Sequence, residues 1–155
     1  AHYEVAAHLG REKLADMAGL SEFTAAMEKV FNAADPDGLA LFAAFKSMPL
    51  AEDTPARAMQ LAASLREFRG SAHLIAIRAV GLTSKQAHYV KRPNDVKGFG
   101  WGEDDAPVVD DQVRALMVQA ENLTDALCIP AYSVLNEAER KALVDGTKAF
   151  EAALK

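Results

Sequence analysis

The stretch Pro55–Leu82, PARAMQLAASLREFRGSAHLIAIRAVGL, carries the longest uninterrupted helical pattern in the chain. Thr54 can cap it, and Pro55 stands at the first helical position, where the missing N–H costs nothing. At 100° per residue, Leu61, Leu65, Phe68, Ala72, Ile75 and Ala79 fall on one apolar stripe, with Met59, Ala62, Ile77 and Val80 on a second beside it. Gln60, Glu67, Ser71 and Arg78 mark the solvated face. A helix that is apolar over more than half its circumference needs neighbours on two sides, so the pattern predicts a central helix over 55–82. Gly70 in its interior costs up to about 1 kcal/mol relative to Ala and calls for a packing or kinking reason.

The rest of the chain supplies the neighbours. Residues 2–17 read as a helix and Ala18–Leu20 as a turn. Ser21 can cap a helix whose positions Phe23, Ala26, Met27, Val30 and Phe31 keep the i, i+3, i+4, i+7 pattern. Asp35-Pro36 predicts another start, with Leu41, Phe42, Phe45 and Met48 inside the helix and Pro49 as its stop. Thr83 followed by Gln86 is a capping-box pattern, so 84–91 is expected to be a short helix. Residues 93–109 form the longest irregular stretch, of a length that is often functional. Asp110 opens a long helix with Val113, Leu116, Met117, Ala120, Leu123, Thr124 and Leu127 on one stripe, interrupted at Pro130. Asn136 and Glu139 open the last helix, with Leu143, Gly146, Thr147, Phe150 and Leu154 on one face. No segment alternates with period two. The expected class is all-α: a single domain over 1–155, a multi-helix bundle of about seven helices around 55–82.

Composition narrows the function classes. A chain of 155 residues that is half hydrophobic and a quarter charged can bury a proper core. No apolar run reaches the ~18 residues of a membrane span, and no signal-peptide pattern opens the sequence. Cys128 is the only cysteine, which excludes an internal disulfide and a Cys-cluster zinc site and fits a reducing cytoplasm. The net charge of -5 opposes duplex DNA as a partner.

Five residues stand out as candidate binding groups: Arg66, Arg69, His73, Trp101 and Asp125. Two arginines and a histidine within two helical turns could hold an anion or carboxylate, since Arg offers a fixed fork of donors and His titrates near neutrality. Structural ion pairs produce the same cluster. On that account the acidic pair Glu121 and Asp125, i and i+4 on a later helix, is the expected partner. The four histidines have no metal-ligand spacing, so no metal and no cofactor is expected. Cys128 reads as a small buried hydrophobe rather than a nucleophile. Gly98-Phe99-Gly100-Trp101-Gly102 lacks the strand before and the Lys-Ser or Lys-Thr after that a phosphate loop needs. Its Trp101 either plugs one end of the core or acts as a lid over a pocket. Lys85, His88, Lys91, Arg92 and Lys97 make a basic segment, answered at once by Glu103, Asp104, Asp105, Asp110 and Asp111. Such runs are usually solvated surface, and a phosphate contact by the short helix is the functional alternative.

Several of these residues also carry a likeness. Leu65-Arg66-Glu67-Phe68-Arg69-Gly70-Ser71-Ala72-His73, then Ala79-Val80-Gly81-Leu82, Gly100-Trp101-Gly102-Glu103-Asp104-Asp105 and Thr124-Asp125, resemble an uncharacterised actinobacterial family. Its members look all-helical, with a helix-turn-helix-like carboxy-terminal part. The likeness spans roughly Ala34 to Lys155, and Arg-x-x-Arg-Gly-x-x-His is its most specific piece. The resemblance implies an all-helical fold and weight on the central motif, but no reaction. A wing-like turn is not visible between Leu127 and Asn136, which counts against DNA.

The sequence therefore favours a non-enzymatic, cytoplasmic helical domain that binds a small ligand or a protein partner, a second copy of itself included. The first alternative is a helix-turn-helix regulator contacting DNA through 84–97. The second is an enzyme with His73 as acid or base and Arg66 and Arg69 holding an anionic substrate.

Overall fold

The computed structural model describes residues 2–155, apart from the side chains of Lys97 and Glu103. Among the described residues seven α-helices follow one another: α1 (His2–Lys13), α2 (Leu20–Ala33), α3 (Ala40–Lys46), α4 (Thr54–Ala79), α5 (Ser84–Lys91), α6 (Asp111–Tyr132) and α7 (Glu137–Ala153). Two short 3-10 turns, Val96–Phe99 and Glu103–Asp105, lie between α5 and α6, and no strand occurs among the described residues. The class is all-α, with α4 the longest helix, as the two apolar stripes predict. The chain divides into two compact units: one holds the residues up to Arg69 together with Cys128–Lys155, the other Gly70–Leu127.

The first unit is built on aromatic and small residues. Phe42 is fully buried, its ring 6.0 Å from Phe31 and 5.0 Å from Phe68. The α2 stripe of Phe23, Ala26, Met27, Val30 and Phe31 is buried throughout. Helix α7 packs on α2 at Gly146, where a Cβ would overlap the Phe23 ring, and Phe150 stands 5.9 Å from the same ring. Lys29 and Glu139 tie the two helices at the surface. Helix α1 approaches the start of α4 at Gly10, where a Cβ would overlap the Pro55 carbonyl. There the Arg11 guanidinium donates to Asp53 at 2.6 Å, while Asp53 Oδ1 accepts from the Ala56 N–H at 3.2 Å and so caps α4.

The second unit has its own core of Ala76, Ile77, Leu82, Ala87, Val113, Met117 and Ala120, flanked by partly buried Val80, Val90, Val109, Leu116 and Leu123. It thus joins the end of α4, the whole of α5 and most of α6. Asp110 caps α6 by accepting from the Val113 N–H at 2.9 Å, as its position predicts. Asn136 and Glu139 form the expected capping box on α7 in the first unit.

Several expectations change. Helix α1 ends at Lys13 rather than 17. Ser21 does not cap α2; Gly19 precedes it at φ 71°, a left-handed conformation that glycine takes without a Cβ clash. Asp35-Pro36 opens a turn, in which Asp35 Oδ1 accepts from the Asp37 N–H at 2.9 Å, and α3 begins only after Gly38 at φ 74°. Pro130 does not interrupt α6, because it falls near the helix end and the ladder resumes with the Ser133 N–H on the Ile129 carbonyl at 2.9 Å. Gln60, read as solvated, is 5 % exposed: its amide donates to the Tyr3 carbonyl at 3.2 Å and accepts from the Ala51 N–H at 2.7 Å. Leu65 and Phe68 are buried as expected, but Ile75 is 41 % exposed. Nothing packs on Gly70, and α4 runs through it without a break.

Candidate functional site

The end of α4 is closed by a glycine turn. Gly81 sits at φ 87°, its N–H bonds the Arg78 carbonyl at 3.2 Å, and the next N–H, on Leu82, bonds the Ile77 carbonyl at 3.0 Å. This is the paired closure that a left-handed residue after a helix makes possible. It turns Leu82 inward to join Ile77 in the core of the second unit. The chain restarts two residues on. Thr83 accepts from the Gln86 N–H at 3.1 Å while Gln86 Oε1 accepts from the Thr83 N–H at 3.0 Å, so the predicted capping box opens α5. Ala87 is the buried residue of α5, and α6 supplies Val113, Met117 and Ala120 beneath it. Two helices joined by a tight turn and backed by a third thus make the second unit.

Helix α5 presents the predicted basic segment. Lys85, His88 and Tyr89 share a face at i, i+3 and i+4, and the segment after Val96 lies against all three. Trp101 stacks on Tyr89 with ring centres 6.1 Å apart and meets His88 edge-on at 5.8 Å. Phe99 meets His88 edge-on at 4.4 Å and stacks on Trp101 at 5.1 Å. The Lys85 ammonium lies 5.3 Å over the Trp101 ring and 3.2 Å from Asp105 Oδ1. The Tyr89 hydroxyl donates to the Gly102 carbonyl at 3.4 Å. Asp105 Oδ2 accepts from the Gly102 N–H at 3.1 Å; that bond first, and Lys85 second, hold the carboxyl below the usual aspartate range. Lys91 pairs with Glu121 at 2.7 Å, and Arg92 is exposed. The Lys97 and Glu103 side chains, members of the predicted charge runs, lie outside the described residues.

The five candidates fall in different settings. Arg66 is solvated, its side chain 80 % exposed, and pairs with its neighbour Glu67. Arg69 is exposed, and its charge acts on the Tyr132 phenol, whose pKa is raised by burial first. Both arginines lie on an exposed part of α4. His73 is partly buried and meets Thr124 Oγ1 at 2.8 Å. The Thr124 hydroxyl already donates to the Ala120 carbonyl at 2.7 Å, so its oxygen accepts from His73 and the proton sits on Nδ1. Asp125 is on the exposed side of α6. Trp101 is partly buried and packs on α5 rather than plugging a core. Tyr89 was not legible as a site residue; its signal is the i, i+4 step from Lys85 beside a loop with two aromatics. No metal-holding group of His, Cys, Asp and Glu occurs among the described residues. None of the helices is long and apolar enough to cross a membrane, again among the described residues.

No curated protein and no solved structure gives a significant match to this chain. A helix-turn-helix family does match, over residues 1–104. The matched region runs from α1 through α5 into the loop that covers it, whereas the resemblance at Arg66–His73 places its helix-turn-helix-like part nearer the carboxy terminus. With most of its residues matched, and with two helices joined at Gly81 inside the match, the chain belongs to a helix-turn-helix family.

Proposed function

We propose that this chain is a cytoplasmic transcriptional regulator that binds duplex DNA, with α5 as the helix that enters the major groove. The family match carries the reading. The closed turn at Gly81 and the α6 packing beneath α5 support it, because a reading helix must be held rigidly by its own small core. Thr83 and Ser84 at the start of α5, Lys85 and Lys91 along it and Arg92 just past its end are the side chains such a helix uses on bases and phosphates. Membership weighs against the overall charge, which favoured a small ligand or a protein partner. A local basic face can still bind where the net field does not help. A second copy belongs to the reading, since regulators of this kind read two half-sites as dimers. His73, held by Thr124, keeps α4 and α6 in register within the second unit and is a positioning residue here.

The test is selection from a pool of random-sequence duplexes at about 50 mM salt, where phosphate contacts are strongest. The expected result is enrichment of a consensus. Arg92→Ala then weakens binding evenly across sequences, and Ser84→Ala relaxes the consensus at one position. A pool that stays random through successive rounds overturns the reading.

A further inference from the structure

We propose that the segment from Val96 to Asp105 is an internal competitor for DNA: docked as seen here, it occupies Lys85, one of the α5 cations that would meet the duplex, together with His88 and Tyr89 on the same face, and it must lift for that face to bind. The inference rests on the DNA-binding reading. Three of the eight residues of α5, Lys85, His88 and Tyr89, make one face, and the segment engages each of them. The engagement resembles what a nucleic acid offers. Asp105 supplies an anion to the Lys85 ammonium, as a phosphate would, and Trp101 supplies a flat π surface to Lys85 and Tyr89, as a base would.

The docked segment is also poorly satisfied. His88 Nε2 is buried with no hydrogen-bond partner among the described residues, and the Phe99 and Trp101 rings pack edge-on against the same imidazole. A buried polar atom without a partner costs free energy that opening to solvent or to a base edge returns. Phe99 remains 56 % exposed when docked, and it holds the cover through its edge-on contact with His88 and its stack on Trp101. Gly98, Gly100 and Gly102 have almost nothing near a would-be Cβ, and Gly100 takes φ 72°; the backbone there is not locked by packing. Lys85 and Asp105 form a surface pair that salt and a competing phosphate weaken. These features describe a cover held by a few weak contacts.

Phe99→Ala tests it, because it loosens the cover without changing charge, removes a half-exposed side chain and leaves Trp101, the single tryptophan, as reporter. Asp105→Asn releases Lys85. Asp104→Asn is the control, with the same change of charge at an exposed neighbour. Acrylamide quenching of Trp101 measures the lifting of the cover, and anisotropy of a labelled random-sequence duplex pool measures binding. If the cover is docked about nine-tenths of the time, lifting it raises apparent affinity about tenfold. Phe99→Ala and Asp105→Asn should therefore bind more tightly than the unaltered chain, by several-fold and up to about tenfold, Asp104→Asn should gain far less, and Trp101 should become more quenchable when duplex is added to the unaltered chain. Duplex binding that is equal in Phe99→Ala and the unaltered chain overturns the cover and leaves the DNA reading standing. Absence of binding in every variant at about 50 mM salt overturns both.

Discussion

Two glycines in helices of this chain answer to opposite physics. At Gly10 a Cβ would overlap the Pro55 carbonyl, and backbone cannot swing aside as a flexible side chain can. Gly10→Ala should destabilise the protein by about 1–3 kcal/mol, the usual cost of forcing atoms into a packed contact. At Gly70, within α4, nothing lies near a would-be Cβ. Gly70→Ala should stabilise by up to about 1 kcal/mol, because Ala loses less backbone freedom in a helix. Urea denaturation of the two variants side by side checks the pair. A stabilising Gly10→Ala or a strongly destabilising Gly70→Ala would refute the packing described. The same scale explains Ser64 and Gln60. Ser64, fully buried, donates to the Gln60 carbonyl at 2.8 Å, which leaves its oxygen to accept from the Tyr3 hydroxyl at 2.7 Å. Burial raises the Tyr3 phenol pKa. These polar side chains are buried because each finds a partner, not because the helix is apolar there.

At the level of elements, caps and pairs set where helices begin and what they touch. Helix α5 is only eight residues long, too short to persist without its cap and its packing. Thr83→Ala removes the hydroxyl that accepts from Gln86 and should cost about 0.5–2 kcal/mol. It should fray α5 first, visible as faster amide exchange at Ala87 and His88 than in α6. Unchanged exchange there would mean that packing alone holds the helix. In the first unit Glu28 of α2 takes a hydrogen bond from Arg57 of α4 at 2.6 Å. That bond is the main reason its carboxyl titrates below the ordinary glutamate range, with burial opposing. A carboxyl depressed in the folded state contributes stability that is present above its unfolded value and lost as pH falls through the folded one. The α2–α4 contact should therefore weaken below about pH 4.3. Arg57→Met should lower stability at neutral pH and flatten that part of the acid profile. An acid profile identical to that of the unaltered chain would remove the pair from the account.

For the molecule as a whole, charge decides how any DNA complex behaves. A chain at -5 has a field that repels a duplex, so affinity must come from a few local cations. Binding should be steep in salt, with log K falling by about 0.9 for each phosphate contacted. Arg92→Ala should lower that slope by about 1. A slope unchanged by Arg92→Ala would move the contact surface away from the end of α5. At physiological salt the covered chain should bind random duplex only weakly.

What the sequence determined alone was local. The helices α2, α4 and α6, the cap at Asp110 and the capping boxes at Thr83 and Asn136 depend on residues within a turn or two of one another and are all present, although Ile75 and Leu127 of the predicted stripes lie exposed. Asp35-Pro36 shows the limit even at short range, because a capping aspartate serves an Asx turn as well as a helix. Tertiary structure decided which side of an amphipathic helix faces a neighbour. On α4 the 3.6-residue period puts Gln60 on the solvated face and Arg66 beside the apolar stripe, and the structure reverses both. Tyr3 and Ala51, far off or across a loop, drew Gln60 inward, while nothing covered Arg66. The same holds for the candidate site. The basic run on α5 and the aromatic glycine segment were both visible in the sequence, but not that one lies on the other, because stacking of Trp101 on Tyr89 is a contact between elements that no local period encodes.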